Sequence, residues 1–496
     1  MSNAAAAPRR PFVLGTVMIA TFMVAIEATI VATAMPHIVG QLGGFSYYSW
    51  VFSAFLLAQS ATTPIYGKLS DIFGRKPVLI GGILLFLAGS WMCGIAWSMA
   101  SLIIFRVFQG LGAGAIYPVS MTVIGDLYPI EERSRAQGMI AVVWAVSAVV
   151  GPLAGGVIVD SLSWAWIFWI NLPFGVLTIA GFLFFLRETV AHRQARIDYA
   201  GAILFSITIT SLLLLLTDTD APILALAGLA LVFLVAGGLF LRQERRAPEP
   251  IISINLWTRR LIATCNISTL LAGMVLIGLT TILPIYVQGV LGRSPIEAGA
   301  TLTTVVFGWP LAVMLSGRLY RSFGLRRTVR VGSFIFPIGA LFLLFLTPDS
   351  DPMIAAAGSF LMGFGMGLIS ITGIVLVQES VEWSMRGSAT SSIIFSRSLG
   401  NTLGATALGA ILNIGISHYG SGALAARLHT LLNQPTGLGE LARDADTRLI
   451  FFHALYWSFC GIAVVAILAV ITTWLIPIAV QAARVTAEEV DEAISE

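Results

Sequence analysis

Apolar stretches of twenty or so residues recur along the whole 496-residue chain, each closed by a short polar break. A bilayer core takes about 20 apolar residues per helix. On that ruler, spans fall near 11-36, 46-66, 77-97, 99-125, 137-159, 164-186, 198-217 and 221-241. Six more follow near 260-288, 296-317, 328-347, 352-378, 387-416 and 449-477. The pattern predicts an all-α integral membrane protein with fourteen transmembrane helices. An even count puts both termini on one side.

The chain also repeats itself. At an offset of 253 residues, "QGLGAGAIYPVSMTVIGDLYPIEER" from Gln109 matches "MGFGMGLISITGIVLVQESVEWSMR" from Met362. Gly110, Gly112 and Gly114 fall on Gly363, Gly365 and Gly367, Asp126 on Glu379, Arg133 on Arg386 and Gly151 on Gly404. At an offset of 250, "GKLSDIFGRK" (67-76) falls on "GRLYRSFGLR" (317-326). The domain reading is an N-terminal segment 1-10, a six-helix bundle 11-187, two additional helices in 198-241, a linker 242-259 and a second six-helix bundle 260-478. The second bundle carries an external loop 417-448, and a tail 479-496 follows. Parallel repeats of this kind suggest two bundles that rock about a site near the midplane.

Composition agrees. With 57% hydrophobic and 11% charged residues and a mean hydropathy of +0.90, too little polar surface remains to coat a water-soluble globule. The net charge of +3 does not form a nucleic-acid patch, because the basic residues sort by membrane side. Of the 28 Lys and Arg, 22 fall on the side of the N-terminus, four (Arg293, Arg427, Arg443, Arg448) on the other, and two, Arg106 and Arg397, within helices. The excess predicts that both termini are cytoplasmic. Arg9 and Arg10 precede an apolar run of about 25 residues, long enough to span rather than to be a cleaved signal. Cys93, Cys265 and Cys460 stand singly in apolar segments and read as small buried hydrophobes.

Several motifs carry chemistry. In "GKLSDIFGRK", Gly67 and Gly74 permit a tight loop, Asp71 can accept hydrogen bonds at a helix end, and Arg75 and Lys76 supply opposing charge. Such a cluster can latch helix ends in one conformation and release them in another. Asp126, Arg133, Glu379 and Arg386 add charges at helix ends on the same side. In "SAVVGPLAGG", Pro152 removes a backbone hydrogen bond, and Gly151, Gly155 and Gly156 allow close helix contact; a hinge or a tight seam results.

One carboxylate is out of place. Of 25 acidic residues Glu27 alone lies deep, in "MVAIEATIVATAMP". It precedes Pro36 by nine residues, ~14 Å at 1.5 Å per residue, close to the middle of a ~30 Å core. A charge there costs at least ~2.5 kcal/mol, so a function or a partner is expected. Arg106, near the start of the fourth span, is the candidate partner, and the pair can act as a proton switch. A purely structural hydrogen bond to Thr29 or backbone is the alternative.

These motifs together resemble those of the major facilitator superfamily, and "EATIVATAMPHIVGQLGG" with "WAWIFWINLPFG" resemble its 14-helix drug:proton antiporter branch. The match covers essentially the whole chain, and because helices that line the centre in that family carry them, it implies that Trp144, Trp309 and Gln59, with Glu27, contact an aromatic or cationic ligand in a substrate cavity. "RVFQGLGAGA" is similar to the motif with a membrane-buried arginine implicated in proton transfer, and "SAVVGPLAGG" to the antiporter motif. Glu27 stands where the branch usually has Asp, Ala165 where it has Arg, Ser147 where it has Gly, and Ile72 where many members have Arg. The resemblance implies a proton-coupled exporter of amphipathic or cationic drugs in the bacterial cytoplasmic membrane; export of a specific endogenous lipid, peptide or metabolite is the rival. A monomer is expected, with no cofactor other than the proton, no metal and no nucleic acid. No G-x-x-x-x-G-K-[ST] signals a nucleotide, and no H-E-x-x-H or catalytic cluster signals an enzyme.

Overall fold

The computed structural model describes residues 10–43, 47–188, 198–217, 222–247, 250, 254–420 and 444–477. Most of the expected loop 417-448 and the whole tail 479-496 lie outside them. The described residues form helices and no strand. The first bundle comprises α1 (Arg10–Leu42), α2 (Tyr48–Phe73), α3 (Arg75–Gly94), α4 (Met99–Leu127), α5 (Ile130–Ser161), α6 (Trp166–Trp169) and α7 (Asn171–Phe185). Next come α8 (Tyr199–Thr217), α9 (Ile223–Glu244) and the short α10 (Ile254–Trp257). The second bundle holds α11 (Arg260–Gly289), α12 (Pro295–Leu344), α13 (Pro352–Glu379), α14 (Arg386–Tyr419) and α15 (Ala445–Trp474).

Two of these elements depart from one helix per pass. The 50 residues of α12 break at Gly324 (φ 76°, ψ 162°), which separates two arms. Both arms meet the same stretch of α13: a Cβ on Gly308 would lie 2.4 Å from the Phe360 carbonyl oxygen, and one on Gly339 2.6 Å from Met362 Cγ. The arms therefore fold back as two passes. The short α6 runs into α7 as one. Twelve of the helices are long and apolar enough to cross a bilayer. The more polar α2 is not among them, yet its Thr62 and Thr63 hydroxyls are satisfied internally, each donating at 2.8 Å to the carbonyls of Ala58 and Gln59. With α2 counted and α12 taken twice, the described residues make fourteen passes.

The sequence repeat is visible in the backbone. Gly74 adopts φ 94°, ψ 162°, close to the values of its counterpart Gly324, and both end a helix in a turn that an L side chain resists. Glycine contacts repeat too. In α4, a Cβ on Gly110 would meet the Phe55 carbonyl of α2 at 2.4 Å, and one on Gly112 the Phe86 nitrogen of α3 at 2.3 Å. In α13, Gly363 and Gly365 stand likewise 2.5 Å from the Val305 carbonyl and 2.9 Å from the Phe336 nitrogen, one on each arm of α12. Small residues let these backbones approach closely, which is how helices pack where no hydrophobic drive separates lipid from protein.

The bundles meet along α2 with α14 and along α5 with α12. The α8–α9 pair covers the first seam. Phe205 of α8 lies 5.6 Å from Phe395 of α14 and clusters with Leu57 of α2, and Thr406 of α14 donates to the Leu216 carbonyl at 2.7 Å.

Candidate functional site

Five helices converge on Glu27. Its side chain has no exposed surface, and one oxygen pairs with Arg106 Nη1 while the other accepts from Asn171 Nδ2 at 2.6 Å. Arg106 is 1% exposed; it also donates through Nη1 to Gln109 Oε1 (2.7 Å) and through Nε to the Val51 carbonyl (3.0 Å). Gln109 Nε2 in turn donates to Ser90 Oγ at 2.7 Å, to which Asn171 also reaches at 3.4 Å. The Phe55 ring caps the guanidinium at 4.3 Å. A buried charge survives only if paired and hydrogen-bonded, and here the network ties α1 to α3, α4 and α7 and to the α2 backbone. One atom is left over: Asn171 Oδ1 is buried with no partner.

The expected pairing of Glu27 with Arg106 is present. The expectation that Glu27 also lines a cavity is not met in this conformation. The side chain points into the interior of the first bundle, because that is where Arg106 and Asn171 offer it donors.

At the arginine-rich end the two bundles are joined. Asp71 accepts from the Gly387 amide (2.8 Å) and from the Ser388 amide and hydroxyl (2.7 and 2.8 Å). These are the first amides of α14, so a carboxylate of one bundle caps a helix of the other. Asp71 lies beyond the apolar part of α2; burial raises its carboxyl to about 6, with Arg75 and the donors at 387 and 388 opposing. Arg75 is 2% exposed and reaches across to the Trp383 carbonyl (2.9 Å), stacking on that ring at 3.9 Å, while its Nε holds Asp126 at 3.0 Å. Gly67 completes the contact, since a Cβ there would lie 2.7 Å from the Gly387 carbonyl.

The helix-end charges pair crosswise. Arg133 bonds Glu379 at 2.8 Å and Arg386 bonds Asp126 at 3.2 Å, so each acid takes an arginine of the opposite repeat, while Arg386 also reaches Glu379 of its own repeat at 3.6 Å and Asp126 also holds Arg75. Lys76 does not join them; it donates to the Leu183 carbonyl at 2.9 Å. Glu188 is an unanticipated member, accepting from the Arg75 and Lys76 amides at 2.6 and 2.9 Å and so capping α3.

In the small-residue motif the members part company. A Cβ on Gly151 would lie 2.0 Å from Thr29 Oγ1, whose hydroxyl donates to the Ser147 carbonyl at 3.1 Å. Gly151 thus sits in a tight α1–α5 seam, matched by Gly404 against Met274 of α11 at 2.5 Å. Gly155 is buried, whereas Gly156 has nothing within 4 Å and Pro152 is exposed.

Between the bundles, the Arg397 guanidinium of α14 lies 5.3 Å from the Tyr117 ring of α4 and 5.6 Å from the Trp309 ring of α12. Trp144 meets Tyr117 edge-on at 6.2 Å. Gln59 is half-buried on α2, its carbonyl against Gly114 of α4. Two histidines that look scattered in sequence are neighbours: His418 and His453 flank Tyr419 at 5.0 and 5.3 Å. Among the described residues no cluster of metal-ligating side chains occurs.

Sequence reasoning missed Asn171, Gln109 and Ser90, and gave Arg397 no role. Asn171 and Gln109 sit inside "WAWIFWINLPFG" and "RVFQGLGAGA", where an amide in an otherwise apolar run was the available signal.

Comparison with known proteins bears on this arrangement. The Major Facilitator Superfamily profile matches residues 17–405. Multidrug resistance protein 3 of Bacillus subtilis (strain 168) is 39% identical over 404 residues, covering 81% of this chain and 79% of that protein. Multidrug transporter protein MdtP of the same organism is 35% identical over 423 residues, covering 83% and 77%. The crystal structure of the human organic anion transporter MFSD10 (TETRAN) superposes with a TM-score of 0.62 at 15% identity, over 95% of this chain and 100% of that one, a likeness of fold alone.

Proposed function

This chain belongs to the Major Facilitator Superfamily, and from that premise we propose that it exports amphipathic organic compounds in exchange for protons, by alternating access. The observation that carries the reading is the fully buried Glu27, paired with Arg106 and braced by Asn171. A stability role alone is poorly served by such a pair, since a buried ion pair rarely outperforms apolar packing. Drugs as the cargo are supported by the names of both Bacillus relatives, and export as the direction by the word resistance in the name of one of them.

In the proposed cycle, the arginine-rich end is cytoplasmic and is shut here by Asp71, Arg75 and the crossed pairs. A proton arriving from outside neutralises Glu27 and frees Arg106; rearrangement of the first bundle then weakens the latch. Return of the proton to the cytoplasm restores the pair. One charge crossing 100 mV is worth ~2.3 kcal/mol, enough for a concentration gradient of roughly forty-fold.

The test is proton-driven uptake of a fluorescent amphipathic drug into inside-out vesicles. Wild type accumulates it uphill and Glu27→Gln does not, although downhill exchange persists. Undiminished uphill uptake by Glu27→Gln contradicts the proposal.

A further inference from the structure

Of the two basic residues that the sequence places within spans, Arg106 and Arg397, the coupling site leaves Arg397 unused. It stands eleven residues into α14, ~16 Å from that helix's start and so near the middle of a ~30 Å core. Its guanidinium faces the seam between the bundles, with Tyr117 of one and Trp309 of the other as its ring partners. It is only partly buried, and among the described residues no carboxylate lies within ion-pair distance of it. The deep carboxylate of the sequence, Glu27, is held by Arg106 and has no exposed surface.

The surroundings are arranged around this charge. Residue 397 is the counterpart of Trp144 at the 253-residue offset, and Trp309 is the counterpart of Gln59 at the 250-residue offset. The two-fold repeat therefore places an aromatic ring opposite the cation on one diagonal, and an amide opposite a ring on the other. Tyr117 links them, touching both Trp144 and Arg397. A planar guanidinium between rings keeps its edge N–H groups free for a bidentate acceptor. An intramembrane arginine without a counter-ion is costly and points to a substrate pathway.

We propose that Arg397, held between Tyr117 and Trp309, is the anion-binding point of a central site whose preferred substrates are flat aromatic compounds carrying one acidic group. This rests on the export reading above and narrows it, since an uncompensated cation disfavours organic cations. The acid of the substrate takes the guanidinium edge, and its ring lies against Trp144 or Trp309.

The experiment is equilibrium binding to the purified protein in nanodiscs, by titration calorimetry with three probes that share one ring: 2-naphthoate, 2-naphthamide and 2-naphthylmethylammonium. Wild type binds the carboxylate about tenfold or more tighter than the amide, with the ammonium weakest. Arg397→Gln brings carboxylate and amide together. Arg397→Lys, which keeps the charge but not the fork, lowers the ratio several-fold and serves if the Gln variant does not fold. A wild-type ratio near one, or a ratio unchanged by either substitution, overturns the inference. Proton-driven uptake of the amide in wild-type vesicles keeps the two readings separate: uptake without a carboxylate preference removes this inference and leaves export standing, whereas no uptake of any probe counts against export itself.

Discussion

Single residues set the chemistry. Glu27 and Arg106 are joined because a charge at that depth needs an opposite one beside it, and Asn171 donates to the other carboxylate oxygen. Asn171→Leu leaves one carboxylate oxygen without its donor, which costs about 1–3 kcal/mol; thermal unfolding in detergent checks it, and an unchanged midpoint counts against the network. Asp71 gives a pH dependence. In the latched state burial raises its carboxyl to about 6, while in water it returns toward ~3.9. The latched state therefore binds the proton more tightly, gains stability as the pH falls from 6 toward 4, and loses it as the pH rises through 6, by ~1.4 kcal/mol per unit. Spin-label distances across the arginine-rich end should shorten over that window in wild type and stay constant in Asp71→Asn; lengthening on acidification contradicts the assignment. The pair was legible in the sequence because charges in an apolar run stand out. Asn171, Gln109 and Ser90 were not, since a neutral polar residue does not reveal which face of its helix it occupies.

Helices are set by where small residues let backbones touch. Gly112 approaches the Phe86 nitrogen, and its counterpart Gly365 the Phe336 nitrogen, so neither site can take a side chain without moving a helix. Gly112→Val is expected to cost about 1–3 kcal/mol or more, seen as a lowered unfolding midpoint. Gly156→Ala, into open space, should change stability by no more than ~0.5 kcal/mol and leave that midpoint nearly where it is. Spans were readable from hydropathy, and the break inside α12 from the echo of Gly74 at Gly324. The different fates of Gly151 and Gly156 were not, because spacing alone does not say which glycine faces α1.

At the scale of the molecule, two repeats are held by charges exchanged across their symmetry axis: Asp126 with Arg386, and Glu379 with Arg133. The α8–α9 pair closes the α2–α14 seam and leaves α5–α12 as the other lateral boundary. Reversal of one crossed charge, Arg386→Glu, sets it against Asp126 and should populate the conformer open at the arginine-rich end, read as increased labelling of a cysteine placed at Ser391. The repeat made this architecture legible, whereas the crosswise pairing was not, because sequence offsets relate equivalent positions rather than touching ones. The central claim is that one carboxylate couples cargo to protons, and proton release on substrate binding tests it most directly. In weakly buffered solution, a saturating dose of a transported compound should release about one proton per wild-type molecule and none from Glu27→Gln. Equal release from the two proteins contradicts the account.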